Sequence, residues 1–413
     1  MWELIRVNKR NSVLLLVTMA MCLTGLGVVI GMGFGGPDGW TIGLITAIAV
    51  WLILMLISFA GGDSILLSAS NARPVTHDVH PRLFNVVEEM SIAAGLPMPK
   101  VYIINDPAPN AFATGRNPQS ASIAVTAGLL GKLNRDELQG VVAHEMSHTL
   151  HRDILFVTLA GVMLGSVVLI SQVFLRSMFY SSMGGSRRRY SGGGKGAGGA
   201  AAVMLVIAIL AAILAPIMTQ LLYFALSRRR EYLADAGAAR LTRYPEGLAS
   251  ALEKIAGDSS PQLASSNQVT APMFIVNPFK RKGQLKLSDL TSTHPPISER
   301  IRILRSMSQG ASLKDYSEAY VSVTKKRTIV PATALTMEDL ALRQASAEAK
   351  SERLEKQFHQ VGDIMRKVNG FIFLSCACGL TLKIPPNYIS KTVKCPRCQR
   401  VHNVKREERT VVN

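Results

Sequence analysis

The chain has 413 residues, 48% of them hydrophobic and 18% charged, with a formal net charge of +18. A soluble enzyme of this length carries more charge, so membrane segments are the first expectation. The positive balance comes without the aromatic-interleaved basic patch that stacks bases. It is read as Lys and Arg gathered on the cytoplasmic side of a membrane protein, with no nucleic-acid partner expected.

Taken in chain order, four stretches lack charge and are long enough to span a bilayer, which takes about 20 apolar residues. The first lies between Arg10 and Asp38, the second between Asp38 and Asp63, the third over 154–175, and the fourth within 196–227. The first is too long for a secretory signal, shows no small-residue cleavage site, and is followed directly by a second span. Arg6, Lys9 and Arg10 precede it, only Asp38 lies in the turn, and Arg73 and Arg82 follow the second span. That placement puts the N-terminus and the 63–153 segment in the cytoplasm. The third and fourth spans fit less well, because Arg176, Arg187, Arg188, Arg189 and Lys195 lie between them. Either the rule fails there or that hairpin does not cross completely. Residues 184–199 read as a flexible linker, since Lys195 is followed by Gly where a phosphate loop needs Ser or Thr.

Residues 63–153 read as globular. Strands are expected at 100–105, after the turn at Pro97–Pro99, and at 122–126. A helix starts at Asn134, with Glu137 three residues on as its capping-box partner. Residues 228–330 form the second, mixed part of the same domain, 331–369 a charged helical spacer, and 370–413 a unit of different character.

The helix from Asn134 contains His144-Glu145-Met146-Ser147-His148. Two His four apart share one helical face, so both imidazoles reach one Zn²⁺ and Glu145 reaches the water. The competing reading is a pair of satisfied helix histidines. A catalytic site needs a third protein ligand, and Arg228-Arg-Arg-Glu231-Tyr-Leu-Ala-Asp235 supplies one. Glu231 is the candidate ligand, and Asp235, one turn on, is placed to accept from the outer nitrogen of a ligand His. Alone, this pair would read as a solvated acidic couple balancing three arginines. The two motifs flank the third and fourth spans, and a helical hairpin would return both to one membrane face. His151 lies two turns from His144 and is read as surface, while His77, His80, His359 and His402 have no partner at ligand spacing.

With these residues in place, the sequence resembles the HtpX heat-shock protease family, integral-membrane zinc metalloproteases related to the CAAX prenyl endopeptidases. The resemblance covers residues 1–310 and rests on the four spans, AHEMSH around His144 and His148, and REYLAD around Glu231. Two further segments match. Asn110-Ala111-Phe112-Ala113-Thr114-Gly115 resembles the family's substrate-binding edge, which implies that Asn110, Ala111, Phe112 and Ala113 pair with an extended substrate backbone. Ser292-Thr293-His294-Pro295-Pro296 resembles another family segment. From the residues alone, His294 is either held extended by the following proline or donates to a developing oxyanion, and the resemblance favours the second. The resemblance implies an endopeptidase that cleaves misfolded or damaged membrane proteins at the cytoplasmic side of a bacterial inner membrane. Its partners would be the lipid bilayer and protein or peptide substrates.

Cys22 lies in an apolar run and reads as a small buried hydrophobe. Cys376-x-Cys378 and, sixteen residues on, Cys395-Pro-Arg-Cys398 depart from the family pattern and suit a closed structural Zn²⁺. Residues 401–409 read as a basic, solvated tail. The expected fold is therefore a mainly α membrane protein with four transmembrane helices (1–62 and 154–227). To these are added a small α+β metalloprotease domain of the gluzincin type and a C-terminal zinc ribbon. The expected cofactors are one catalytic and one structural zinc. The rival reading is a catalytically silent membrane scaffold that presents the ribbon to partners.

Overall fold

Two long helices open the chain, α1 (Trp2–Gly35) and α2 (Gly39–Ala69), packed side by side. A Cβ at Gly31 would sit 2.3 Å from the Gly39 carbonyl oxygen, so only glycine lets the backbones meet there. The computed structural model describes residues 2–35, 38–154, 228–258, 294–332, 340–346, 362–390 and 392–404. It also describes positions 171, 176, 209, 213, 274, 275 and 335. Among the described residues one stretch, Gly39–Ile57, is long and apolar enough to cross a membrane, and Leu16–Met32 is apolar but shorter. The third and fourth expected spans, and the glycine-rich linker, fall almost wholly outside the described residues. Nor does α2 stop at Asp63, because one carboxylate is no reason for a helix to end. At 1.5 Å per residue it reaches about 46 Å, past a hydrocarbon layer of roughly 30 Å. It enters β1 (Ala72–Pro74) through a short turn with Asn71 at φ 52.

The sheet is completed by β2 (Lys100–Ile104), β3 (Ala111–Thr114) and β4 (Ser122–Thr126), in the order β1-β2-β4-β3. β2 and β4 are parallel, with Val101 beside Ile123, while β1 and β3 run antiparallel to their neighbours. Alternation along the strands gives the sheet two apolar faces. Val101, Ile103, Ala113, Ile123 and Val125 join the main core. Ile104, Phe112 and Ala124 meet Leu66 and Leu67 at the end of α2, which seats the domain on that helix.

Three helices cover the main face: α3 (Pro81–Ala94), the short α4 (Ala127–Lys132) and α5 (Arg135–Leu150). The Asn134 side chain accepts from the Glu137 N–H at 2.9 Å, and Glu137 Oε2 accepts from the Asn134 N–H at 2.8 Å. This capping box fixes where α5 begins. From Asp136 to Thr149 the helix is buried around nearly its whole circumference, so it has no polar stripe. The helix at 228–242 and those at Pro245–Ala256, Ile297–Arg305 and Leu313–Thr324 close the core around it.

The segment 331–369, expected as a charged helical spacer, is not helical at 340–346. The one charged group of 340–346, Arg343, has partners on the domain, which a solvated spacer would lack. Arg343 Nη2 donates to Asp136 at 3.0 Å and to Gln139 at 3.2 Å, and its guanidinium lies 5.2 Å over the Tyr244 ring. The Arg343 N–H donates to the Arg243 carbonyl at 2.7 Å, and the Ser346 N–H to Asp136 Oδ2 at 2.8 Å. These residues form a strap joining the start of α5 to the end of the 228–242 helix. After a helix at 362–368, whose Val368 is buried in the main core, come two hairpins. They are β5 (Ile372–Ser375) with β6 (Thr381–Ile384), and β7 (Thr392–Lys394) with β8 (Val401–Asn403).

Arg343→Ala removes a charged partner from the buried Asp136. The expected cost is about 1–3 kcal/mol, read as a lowered thermal transition of the detergent-solubilised chain. An unchanged transition would show that the strap does not hold the helices.

Candidate active site

His144 and His148 project from the second half of α5 with their rings 4.9 Å apart and nearly perpendicular. The 228–242 helix lies against this face because Gly237 leaves room, since a Cβ there would sit 2.4 Å from Ser147 Oγ. That close approach brings Glu231 over both imidazoles. Glu231 Oε2 is 3.5 Å from His144 Nε2, and its Oε1 is 3.7 Å from His148 Nε2. The three side chains offer ligand atoms that all lie within 4.8 Å of one another. Ligands on a tetrahedral zinc at about 2.1 Å lie about 3.4 Å apart, so the spacing suits that ion. The donor set supports the fit. His144 Nε2 and Glu231 Oε2 are buried without a hydrogen-bond partner among the described residues, a costly state unless a cation fills it.

Behind each imidazole stands a carboxylate. Asp235, one turn after Glu231, places Oδ1 3.0 Å from His144 Nδ1. Asp153 Oδ2 lies 3.1 Å from His148 Nδ1. The second contact follows from how α5 ends. The Asp153 N–H donates to the His148 carbonyl and the Arg152 N–H to the Thr149 carbonyl, with Arg152 at φ 57. This Schellman turn folds the chain back on the helix. Arg300, fully buried, donates from Nε and Nη2 to the two oxygens of Asp235 at 2.8 and 2.7 Å. Its Nη1 is 3.6 Å from Glu231 Oε2 and donates to the Ile275 carbonyl at 3.2 Å. The sequence did not single out Asp153 or Arg300. The only signals for them were an acidic residue just past the helix and an arginine six residues after His294.

His294 is brought to the same point, with Nε2 3.8 Å from Glu231 Oε2. His151 is not at the surface as read from the sequence. It is 3% exposed, because the face it shares with His144 is the one the 228–242 helix covers. Among the described residues β3 is an edge strand, and the Ala113 N–H reaches the Glu145 carboxyl. The other residues expected there make contacts within the chain. Asn110 Oδ1 accepts from the Ala111 N–H at 3.1 Å, the Ala111 carbonyl accepts from the Ile275 N–H at 3.0 Å, and Phe112 packs edge-on against Phe274.

The environment drives the two glutamates apart. Burial raises the Glu145 carboxyl above the usual range, against the pull of His144 and His148. Burial would also raise Glu231, but His294, His144 and His148 together hold it well below. Burial opposes the charge on His148, yet Asp153, Glu231 and Glu145 bring it up to about 10. For His294 burial dominates and pushes it down to about 4. A carboxyl of raised affinity for protons beside a carboxylate that stays ionised is the division a base and a ligand require.

At the C-terminus, the turns around the two hairpins carry the four cysteines. Cys376 Sγ lies 3.3 Å from Cys398 Sγ, and Cys378 Sγ 3.6 Å from Cys395 Sγ. Backbone N–H groups of Cys398 and Arg397 aimed at Cys395 hold its thiol down to about 6.

The family model described as Peptidase family M48 matches residues 78–308. A "Protease HtpX homolog" of Dictyoglomus turgidum is 46% identical over 274 residues, covering 66% of this chain and 85% of its own. That of Dictyoglomus thermophilum is 42% identical over 316 residues, covering 76% and 97%. A solved structure, "Crystal Structure of S. mikatae Ste24p", is similar over 74% of this chain and 67% of its own, at 19% identity and a TM-score of 0.38. At that score it adds nothing to the assignment. With the matched region holding both helices that carry the candidate ligands, the chain belongs to peptidase family M48, among the HtpX proteases, and is a membrane zinc metalloprotease.

Proposed function

We propose that this chain is an endopeptidase that cleaves proteins at the cytoplasmic face of a bacterial inner membrane, with misfolded or damaged membrane proteins as substrates in quality control and the stress response. The observation that carries the reading is the convergence of His144, His148 and Glu231 on one buried point with a carboxylate behind each imidazole. The placement of Arg6, Lys9, Arg10, Arg73 and Arg82 supports the orientation.

His144 and His148 hold the catalytic zinc through Nε2, and Glu231 is the third ligand. Bound there, zinc supplies a Lewis acid and makes water acidic enough to attack near neutral pH. Asp235 and Asp153 take the Nδ1 side of each ring, which keeps the proton there and leaves Nε2 as the donor atom. Glu145 accepts the proton of the attacking water and delivers it to the leaving amine. His294 donates to the developing oxyanion. On β3, the Ala111 carbonyl already has a partner, so the substrate backbone meets the strand at Ala113, beside Glu145. Cys376, Cys378, Cys395 and Cys398 hold a second, structural zinc. Sulfurs on a tetrahedral zinc at about 2.3 Å lie about 3.8 Å apart, close to the spacings here.

Glu145→Gln is expected to keep its zinc and lose at least about 10²–10⁴ in kcat/KM on an unfolded model protein. Full cleavage at equal zinc content would refute the role of Glu145. Because Asp153, Glu231 and Glu145 favour a proton on His148 when no metal is present, zinc binding there would compete with that proton. Apparent affinity for the catalytic zinc should therefore rise from pH 6 to pH 8 by about tenfold per unit for each proton released. A flat profile in competition with a chelator would count against a raised His148. Metal analysis should find about two zinc ions per chain, and about one in the double variant Cys395→Ser, Cys398→Ser. A single ion in the wild type would remove the structural site.

A further inference from the structure

Beside the Glu231 helix opens a cavity of about 440 Å³, large enough for a small polar ligand. Four cations line it, Arg228 and Arg229 from the start of the 228–242 helix and Lys326 and Arg327 from the loop after the Leu313–Thr324 helix. Among the lining residues there is one carboxylate, Glu299, and the Tyr232 hydroxyl donates to it. The walls are tied together. Arg229 Nη2 donates to the Ile329 carbonyl at 2.9 Å, the Ser317 and Thr328 hydroxyls are 2.5 Å apart, and Lys325 turns the chain at φ 58. Lys326 and Arg327 are exposed, so their head groups are within reach of a ligand.

Such an excess of guanidinium and ammonium groups around a cavity suits a phosphate oxyanion. Its place along the chain indicates where the phosphate comes from. Arg228 directly follows the uncharged run 196–227, at the level where a helix leaving a bilayer meets the headgroups. We propose that this cavity binds the phosphate headgroup of an anionic membrane lipid. The proposal rests on the membrane reading of the chain. The occupant would sit next to the metal site, since Tyr232 follows Glu231 and Glu299 precedes Arg300, which holds Asp235.

The test uses the full chain, zinc-loaded, in a zwitterionic detergent, and reads binding without any need for cleavage. Short-chain phosphatidylglycerol, phosphatidylcholine and inorganic phosphate are titrated while the melting temperature is followed. Phosphatidylglycerol is expected to raise it saturably, phosphatidylcholine to leave it unchanged, and inorganic phosphate to act at least tenfold more weakly. The double variant Lys326→Glu, Arg327→Glu, at two exposed positions outside the catalytic set, is expected to weaken phosphatidylglycerol at least tenfold at unchanged zinc content. Glu299→Gln, which removes the opposing carboxylate, is expected to tighten it. The proposal is overturned if phosphatidylglycerol produces no shift, or if its shift survives in the double variant. Equal action by inorganic phosphate would overturn the lipid source in favour of a free anion. Loss of cleavage with the lipid shift intact would count against the protease reading and leave this one standing.

Discussion

Asp235 is buried and in contact with both His144 and Arg300. A carboxylate withdrawn from water is costly unless charged partners meet it, and here they come from two other elements. Arg300 from the Ile297–Arg305 helix meets both oxygens, and His144 from α5 takes the other side. The same Arg300 reaches Glu231 and the Ile275 carbonyl. One guanidinium therefore fixes the second-layer acid, approaches the third ligand, and pins the short piece of chain against β3. Replacing Arg300 by an apolar residue would leave Asp235 buried with only an imidazole to balance it. The ligand geometry depends on that ion pair as much as on the ligands themselves.

The network requires α5 to run through the middle of the domain. A helix buried on every side cannot rely on an amphipathic stripe for its placement. It is placed by its ends and by close backbone approach. Asn134 and Glu137 define its start, the Schellman turn at Arg152 defines its end, and Gly237 sets how near the Glu231 helix comes. The turn at the end does a second job, since it delivers Asp153 to His148. Structure that terminates the helix also orients a ring proposed to bind metal.

These features differ in how far a sequence reveals them. His144, Glu145 and His148, like Glu231 and Asp235, are related by helical spacing, so a linear pattern shows which side chains share a face. The capping box and the cysteine pairs are equally local. Asp153 and Arg300 were hidden because what makes them matter is tertiary. Asp153 reaches His148 only through a left-handed residue that is not glycine, and Arg300 reaches Asp235 across 65 residues of chain. His151 misled for a related reason. The periodicity put it on the face of His144 correctly, but only the packing of a distant helix says that this face is interior. Residues 340–346 misled in the opposite sense, since they lie in a longer stretch, 336–367, whose Ala-, Glu-, Lys-, Arg- and Gln-rich composition favours a helix in water. It gives no sign of Asp136 and the Arg243 carbonyl waiting on the domain surface.

The strap also bears on how the C-terminal unit relates to the catalysis. The family match ends at residue 308, and everything from the strap to the hairpins lies beyond it. The hairpins bury little, with Cys376, Leu382 and Cys395 as their small core, so the structural zinc proposed for them would supply much of their stability. The strap and the 362–368 helix, by contrast, are fastened to the protease domain through Arg343 and Val368. Arg343 grips α5 at Asp136, eight residues before His144, about 12 Å along the helix axis. At that distance it does not touch the chemistry. It holds together the far ends of the two helices whose near ends carry His144, His148 and Glu231. The extension thus meets the catalytic domain at the ends of these two helices that lie away from the candidate ligands.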